Sequence, residues 1–275
     1  MDPTNTRLRH AALQALQIRD PHEKCQAVLR WDVGQPTSDA QTLYDEPPDL
    51  PGRPARPELV SPTQVRQRGM QSVEGRAALV HSLAHIEHNA VNLALDIAWR
   101  FPGLPEAFYT DWLGVAQDEA RHFGLLSRHL QGLAPQRPYQ YGDFPAHNGL
   151  WDMAEKTKGD LLARLALVPR TLEARGLDMS PLIRDKLKQA GDQEGAAILD
   201  IILRDEIGHV AIGNRWYRWL CAQLGHDPIR TYAELALHYR APLQRGPFNL
   251  EARLAAGFDA AELAALTAAS TPATS

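Results

Sequence analysis

Asp118-Glu119-Ala120-Arg121-His122 and Asp205-Glu206-Ile207-Gly208-His209 are two copies of one pattern, Asp-Glu-x-x-His. On a helix, Glu and His three residues apart project from one face, so a single metal ion can meet both. One copy carries little weight, because helix surfaces are full of such pairs. Two copies inside apolar stripes carry much more. Val115, Glu119, His122 and Leu126 share one stripe, and Ile198, Ile202, Glu206, His209 and Gly213 share the other. A solvated face would be charged at the neighbouring positions too. A buried carboxylate without a partner costs on the order of several kcal/mol, and a pair of divalent cations is its natural compensation.

The pattern asks for one further carboxylate on each of two more helices. Glu87 lies among Val80, Leu83, Ala84, Ala90, Val91, Ala94 and Ala98, at three- and four-residue steps. Glu173 shares a face with Leu162, Ala166 and Pro169. Glu87 precedes Glu119 by 32 residues and Glu173 precedes Glu206 by 33, so the chain reads as two related helical hairpins. Together Glu87, Glu119, His122, Glu173, Glu206 and His209 form a full ligand set for two metal ions.

Working outward, the fold class is all-α, and no segment reads as a strand. Two short helices occupy residues 4–30, the second capped by Asp20 with Pro21 at its first position and Glu23 at its third. Seven prolines between Pro36 and Pro62 rule out a helix there and leave an extended strap or a flexible linker. Four long helices follow. The first starts at Ser72 and ends at Phe101-Pro102-Gly103, and the second runs from Pro105 to about Leu130. The third covers roughly 152–175 and ends at Arg175-Gly176, with a short helix starting at Ser180-Pro181. The fourth runs from Asp192 to about Leu224. Pro169 should kink the third helix. The link of about 20 residues from Gly132 to Trp151 can traverse a bundle about 30 Å long, at about 3.3 Å per residue. That gives a four-helix bundle with one long crossover, flanked by peripheral N- and C-terminal helices. Its divisions are 1–71, 72–224 and 225–275, with small outer helices over 228–240 and 249–268 and a frayed end over 267–275.

Composition narrows the function classes. Apolar residues make up 44%, and 29 basic against 33 acidic residues give a net charge of −4, which does not suit clamping a nucleic-acid backbone over a whole face. No apolar run reaches the ~18 residues of a membrane span. The polar start Met1-Asp2-Pro3-Thr4-Asn5 lacks a signal core, and Cys25 and Cys221 make no disulfide framework or zinc pattern. A cytoplasmic protein is expected.

These motifs resemble the ferritin-like di-iron carboxylate superfamily over residues 72–224. A longer set of phrases resembles one bacterial family of ferritin-like proteins of unknown function, DUF455. They are His85-Ile86-Glu87, Asp118-Glu119-Ala120-Arg121-His122-Phe123, Tyr141-Gly142-Asp143-Phe144-Pro145-Ala146-His147, Leu172-Glu173-Ala174-Arg175-Gly176-Leu177-Asp178 and Asp205-Glu206-Ile207-Gly208-His209. The resemblance implies two iron ions, or manganese or a mixed pair, in the six-ligand site. The first motif carries Arg121 where the second has Gly208. Asp118 and Asp205 are expected to hold the free ring N–H of His209 and His122 respectively, the alternative being salt bridges to Arg121 and Arg204.

Residues one turn from the ligands, among them Leu83, Val91, Val115, Phe123, Pro169, Leu177, Ile202 and Val210, are apolar and are expected to line a dry pocket. That favours an oxidase or hydroxylase with dioxygen and a small organic substrate as partners, and it leaves an electron donor and a homodimer open. The alternatives are iron oxidation for storage, peroxide reduction, hydroxylation of modified tRNA through Arg7, Arg9, Arg53, Arg56, Arg66 and Arg68, and a non-catalytic bundle held together by metal. His81, His85 and His88 are placed at the surface or an interface, with extra ligation as the other reading. His147 is placed near a bundle end.

Overall fold

The computed structural model describes residues 7–34, 37–66 and 68–270. Expectations for residues 1–6, Pro36 and residues 271–275 lie outside them. The described residues hold helices and no strand, with one isolated bridge between Leu59 and Ala146. The chain divides into two compact units, the first comprising residues 1–151 and 190–198 and the second residues 152–189 and 199–275.

The first unit is built on two long helices, α3 (Val73–Arg100) and α4 (Glu106–Gly132), joined by the short turn at Gly103. Preceding them, α1 (Leu8–Gln17) packs on α3 and α2 (Pro21–Leu29) on α4. Local chemistry sets their starts. Asp20 accepts from the Glu23 N–H at 2.9 Å with Pro21 in the first turn, and Ser72 accepts from the Gly75 N–H at 3.0 Å.

The proline-rich segment is a strap. The buried Arg9 guanidinium donates to the carbonyls of Asp39, Thr42, Ala98 and Trp99, which ties α1 and the strap to the end of α3. Asp39 accepts from the backbone N–H of Arg9 and His10 and from the Tyr44 hydroxyl. The Gly52 N–H donates to the Leu16 carbonyl at 2.8 Å, and the buried Lys24 ammonium holds the Gly52 carbonyl and Asn92. Further on, Glu58 and Val60 pair with Ala146. Arg9, spent on these carbonyls, is withdrawn from the arginines that could touch RNA.

Helix α3 is buried far beyond the one face that its periodicity predicts. His81, His85, His88, Asn89, Asn92 and Asp96 are buried as well. The crossover segment after α4 brings partners to His81, His85 and His88, whereas Asn92 meets Lys24 of α2 and Asp96 pairs with Arg100 on α3 itself.

The second unit departs more from expectation. The third helix is interrupted. Its first part, α5 (Gly149–Lys156), ends at Thr157, whose hydroxyl turns back to the Met153 carbonyl at 2.8 Å. A new helix, α6 (Leu161–Leu167), starts under an Asp160 cap. At Pro169 the missing N–H opens a π turn, Val168–Glu173, in which the Thr171 hydroxyl reaches back to the Ala166 carbonyl at 2.9 Å. The kink expected at Pro169 therefore takes the form of a π turn. Helix α7 (Ala174–Gln189) then runs straight through Gly176 and Pro181, where a stop and a restart were expected. Proline is tolerated because the Leu177 carbonyl, four residues earlier, accepts instead from the Asn249 side chain at 3.2 Å.

Helix α8 (Gln193–Leu224) starts at an Asp192 cap, as expected, and its opening turn belongs to the first unit. Within the second unit its Gly213 lies against the Pro169 ring, where an added Cβ would stand 2.6 Å from the proline Cβ. Helix α9 (Pro228–His238) follows an Asp227 cap. The stretch expected as one helix over 249–268 is two, α10 (Leu250–Ala255) and α11 (Ala260–Ser270), because Gly257 turns at φ 88° and Asp259 and Glu262 cap a fresh start. Helix α11 runs to Ser270, so the helix covers residues 267–270, where a frayed end was expected. Ala174, Leu177, Val210, Ala252, Ala256, Phe258 and Leu263 form the core of this unit.

Candidate metal centre

Helices α3 and α4 bring three of the expected ligands together in the first unit. Glu87, Glu119 and His122 are all buried, and each offers a ligand atom within 4.8 Å of the others. His122 Nδ1 stands 3.2 Å from Glu87 Oε2 and 3.4 Å from Glu119 Oε2. In the second unit, α8 carries Glu206 and His209, also buried, with Oε1 and Nδ1 3.9 Å apart. Glu173 ends the π turn and is half-buried.

The electrostatics of the first group fit a site that could hold a cation. Burial, reinforced by the charge of Glu119, pushes the Glu87 carboxyl well above the usual carboxylate range, against the pull of His122. Burial alone would lower the His122 imidazolium. Hydrogen bonds to Glu119 and Glu87 outweigh it and raise the group to about 11. Glu87 and His122, crowded out of water, thus hold protons that a divalent cation could replace. Oxygen and nitrogen donors in this mix suit a divalent metal ion.

The aspartates beside the ligands pair with near neighbours. Asp118 accepts from Arg121 one turn on, and Asp205 accepts from Arg204 Nε at 2.8 Å. Of the expected pocket residues, Leu83, Val115, Phe123, Pro169 and Ile202 are all buried. Phe123 packs against the rings of His22, His88 and Tyr141, and Pro169 lies against Gly213.

His81, His85 and His88 correct the surface reading. All three are buried around Tyr141, which the crossover segment places beside α3. His85 Nε2 is 3.1 Å from the His147 carbonyl, which can only accept. The Asn89 amide nitrogen, which can only donate, stands 3.0 Å from the same Nε2, and Nδ1 lies 2.8 Å from the Tyr141 hydroxyl. His81 Nε2 accepts from the Gly142 N–H at 2.9 Å. Asn89, one turn after His85 and bonded to its carbonyl, was a missed member of this cluster. Its spacing from His85 was the available signal.

His81 gives the fold an acid sensitivity. Burial pushes its pKa down to about 4, with Asp143 opposing. The unfolded chain takes up a proton near pH ~6.5. Stability from neutral His81 is therefore present above that pH and is lost as pH falls toward the folded value. His81→Gln retains an acceptor for Gly142. Urea unfolding at pH 7.5 and 4.5 should show the variant losing about 2 kcal/mol less than wild type across this interval. Equal losses would contradict the assignment.

An all-α chain with a buried Glu and His cluster that could hold a metal ion is the class these features define. Within that class, the chain belongs to the family described as protein of unknown function DUF455, whose model matches residues 17–264. It is 46% identical over 262 residues to a protein of Haemophilus influenzae described as uncharacterised, covering 90% of each chain. No solved structure matches the chain. Among the described residues no helix is long and apolar enough to cross a membrane.

Proposed function

We propose that Glu87, Glu119 and His122 join Glu173, Glu206 and His209 around two iron-class ions, in a four-helix arrangement of ferritin-like connectivity that oxidises an organic molecule with dioxygen. The observation that carries the reading is the buried Glu87, Glu119 and His122 group, whose donors fit a divalent cation and whose motif recurs on α8. Manganese or a mixed pair fits the same donors. When bound, such ions supply the electrons that reduce dioxygen. The chain's own residues do the rest. Glu87 and His122 give up protons on binding, and the carboxylates of Glu87 and Glu119 neutralise the ions. Asp118 and Asp205 are assigned to orient His209 and His122 through their second ring nitrogens. Leu83, Val115 and Ile202 keep water from the site.

The test is an oxygen pulse to protein loaded anaerobically with ferrous iron. The expected result is stoichiometric oxygen uptake with a rise in near-ultraviolet ferric absorption, both lost in Glu119→Ala. Iron-loaded protein that takes up no oxygen would contradict a redox role and leave a metal-stabilised bundle.

A further inference from the structure

The π turn of the second unit ends at Glu173, one of the six expected ligands. Such a turn carries one residue more than the α-turn it replaces, and it is frequent at functional sites. Relaxed to an α-helix, it would swing Glu173 about 100° around the helix axis. What holds the turn therefore decides where Glu173 points.

Arg170, inside the turn, is its main anchor. The guanidinium is buried and stacks 4.2 Å from the Tyr217 ring centroid. Its Nε donates to the Asn214 side chain on α8, and its Nη2 donates to Glu262 on α11. A planar fork of this kind can hold two acceptors at once. Both acceptors are themselves fixed. The Asn214 amide donates to the Ala256 carbonyl at 2.7 Å. The second oxygen of Glu262 accepts from the Asp259 N–H at 2.9 Å and from Arg218. Thr171, next in the turn, reaches back five residues to the Ala166 carbonyl and meets the Tyr232 hydroxyl at 2.9 Å. Five residues is the step of a π turn, so these ties favour that register over the α register.

We propose that Asn214 and Glu262, acting through Arg170, are positioning residues for Glu173. Helix α8 also carries Glu206 and His209, so the bond from Arg170 to Asn214 sets Glu173 against the helix of two other expected ligands. Helix α11 supplies none of the six, yet its Glu262 keeps the turn in register. The proposal rests on the reading of Glu173, Glu206 and His209 as ligands.

Arg170→Met tests it, because Glu262 keeps Arg218 and the Asp259 N–H as partners. Two quantities are measured on the folded variant: amide hydrogen exchange over residues 168–174 without metal, and ferrous iron affinity by competition with a chelator. The expected result is faster exchange across the π turn, with one of the two irons held roughly 10–100-fold more weakly, as for the loss of a group that orients a ligand. Arg170→Lys keeps the charge and loses the fork. It should show the same two changes in smaller measure, and it serves as the test if the methionine variant does not fold. Unchanged exchange, or both irons held as tightly as in wild type, would overturn the proposal. Equal weakening of both irons would mark a general loss of packing and overturn it as well. A wild type that takes up no iron would overturn the ligand reading beneath it, an outcome distinct from any failure of the variants.

Discussion

Metal-free Glu87→Gln should unfold at a higher temperature than metal-free wild type, and ferrous iron should no longer stabilise it. In the metal-free chain Glu87 is buried beside a second carboxylate, so its ionised form is opposed by both desolvation and repulsion. Glutamine keeps the shape and removes the charge. The expected gain is roughly 1–3 kcal/mol, read as about 2–4 °C per kcal/mol for a protein of this size. The sign with pH is fixed. A carboxyl held above its unfolded pKa contributes stability below about pH 4.3, and that contribution is lost as pH rises. The advantage of the variant should therefore grow from acid toward neutral pH. Thermal scans with and without ferrous iron, at two pH values, check both halves. A variant less stable than wild type without metal would show that Glu87 makes structural contacts rather than waiting for a cation.

Asp178→Ala should be the most damaging single change outside the metal centre. Asp178 is buried in the second unit and receives both arms of Arg253 and the Asn249 N–H at 2.9 Å. Truncation leaves a buried guanidinium without its acid and frees the segment that leads into α10. Breaking such a pair costs about 3–5 kcal/mol. Replacing both partners, as Asp178→Leu with Arg253→Met, should recover much of that loss, since the penalty belongs to the charge left alone. Chemical unfolding of the three proteins would show it. A loss below 1 kcal/mol for Asp178→Ala would mean that Arg253 finds water or Gln244 instead.

What was readable in the sequence follows from where the physics is local. Asp20, Ser72 and Asp192 announced three helix starts because capping needs only a side chain and the next turn. Glu87, Glu119 and His122 were readable because charges interrupting an apolar stripe at helical spacing require a partner. In the third helix, glycine and proline predict a stop and a restart, and α7 continues through both Gly176 and Pro181. The Leu177 carbonyl that Pro181 strands is rescued by Asn249, some 70 residues away, which no local pattern reveals. The histidines of α3 were misplaced for a similar reason. Their partners, Tyr141, Gly142 and His147, come from the segment beyond α4.

The most direct test of the central claim is the metal content of the chain after anaerobic loading with ferrous iron and removal of the excess. The account predicts two irons per wild-type chain and markedly fewer in Glu119→Ala and in Glu173→Ala, one variant from each helical hairpin. Equal loading of all three proteins, or no stoichiometric iron in the wild type, would contradict it.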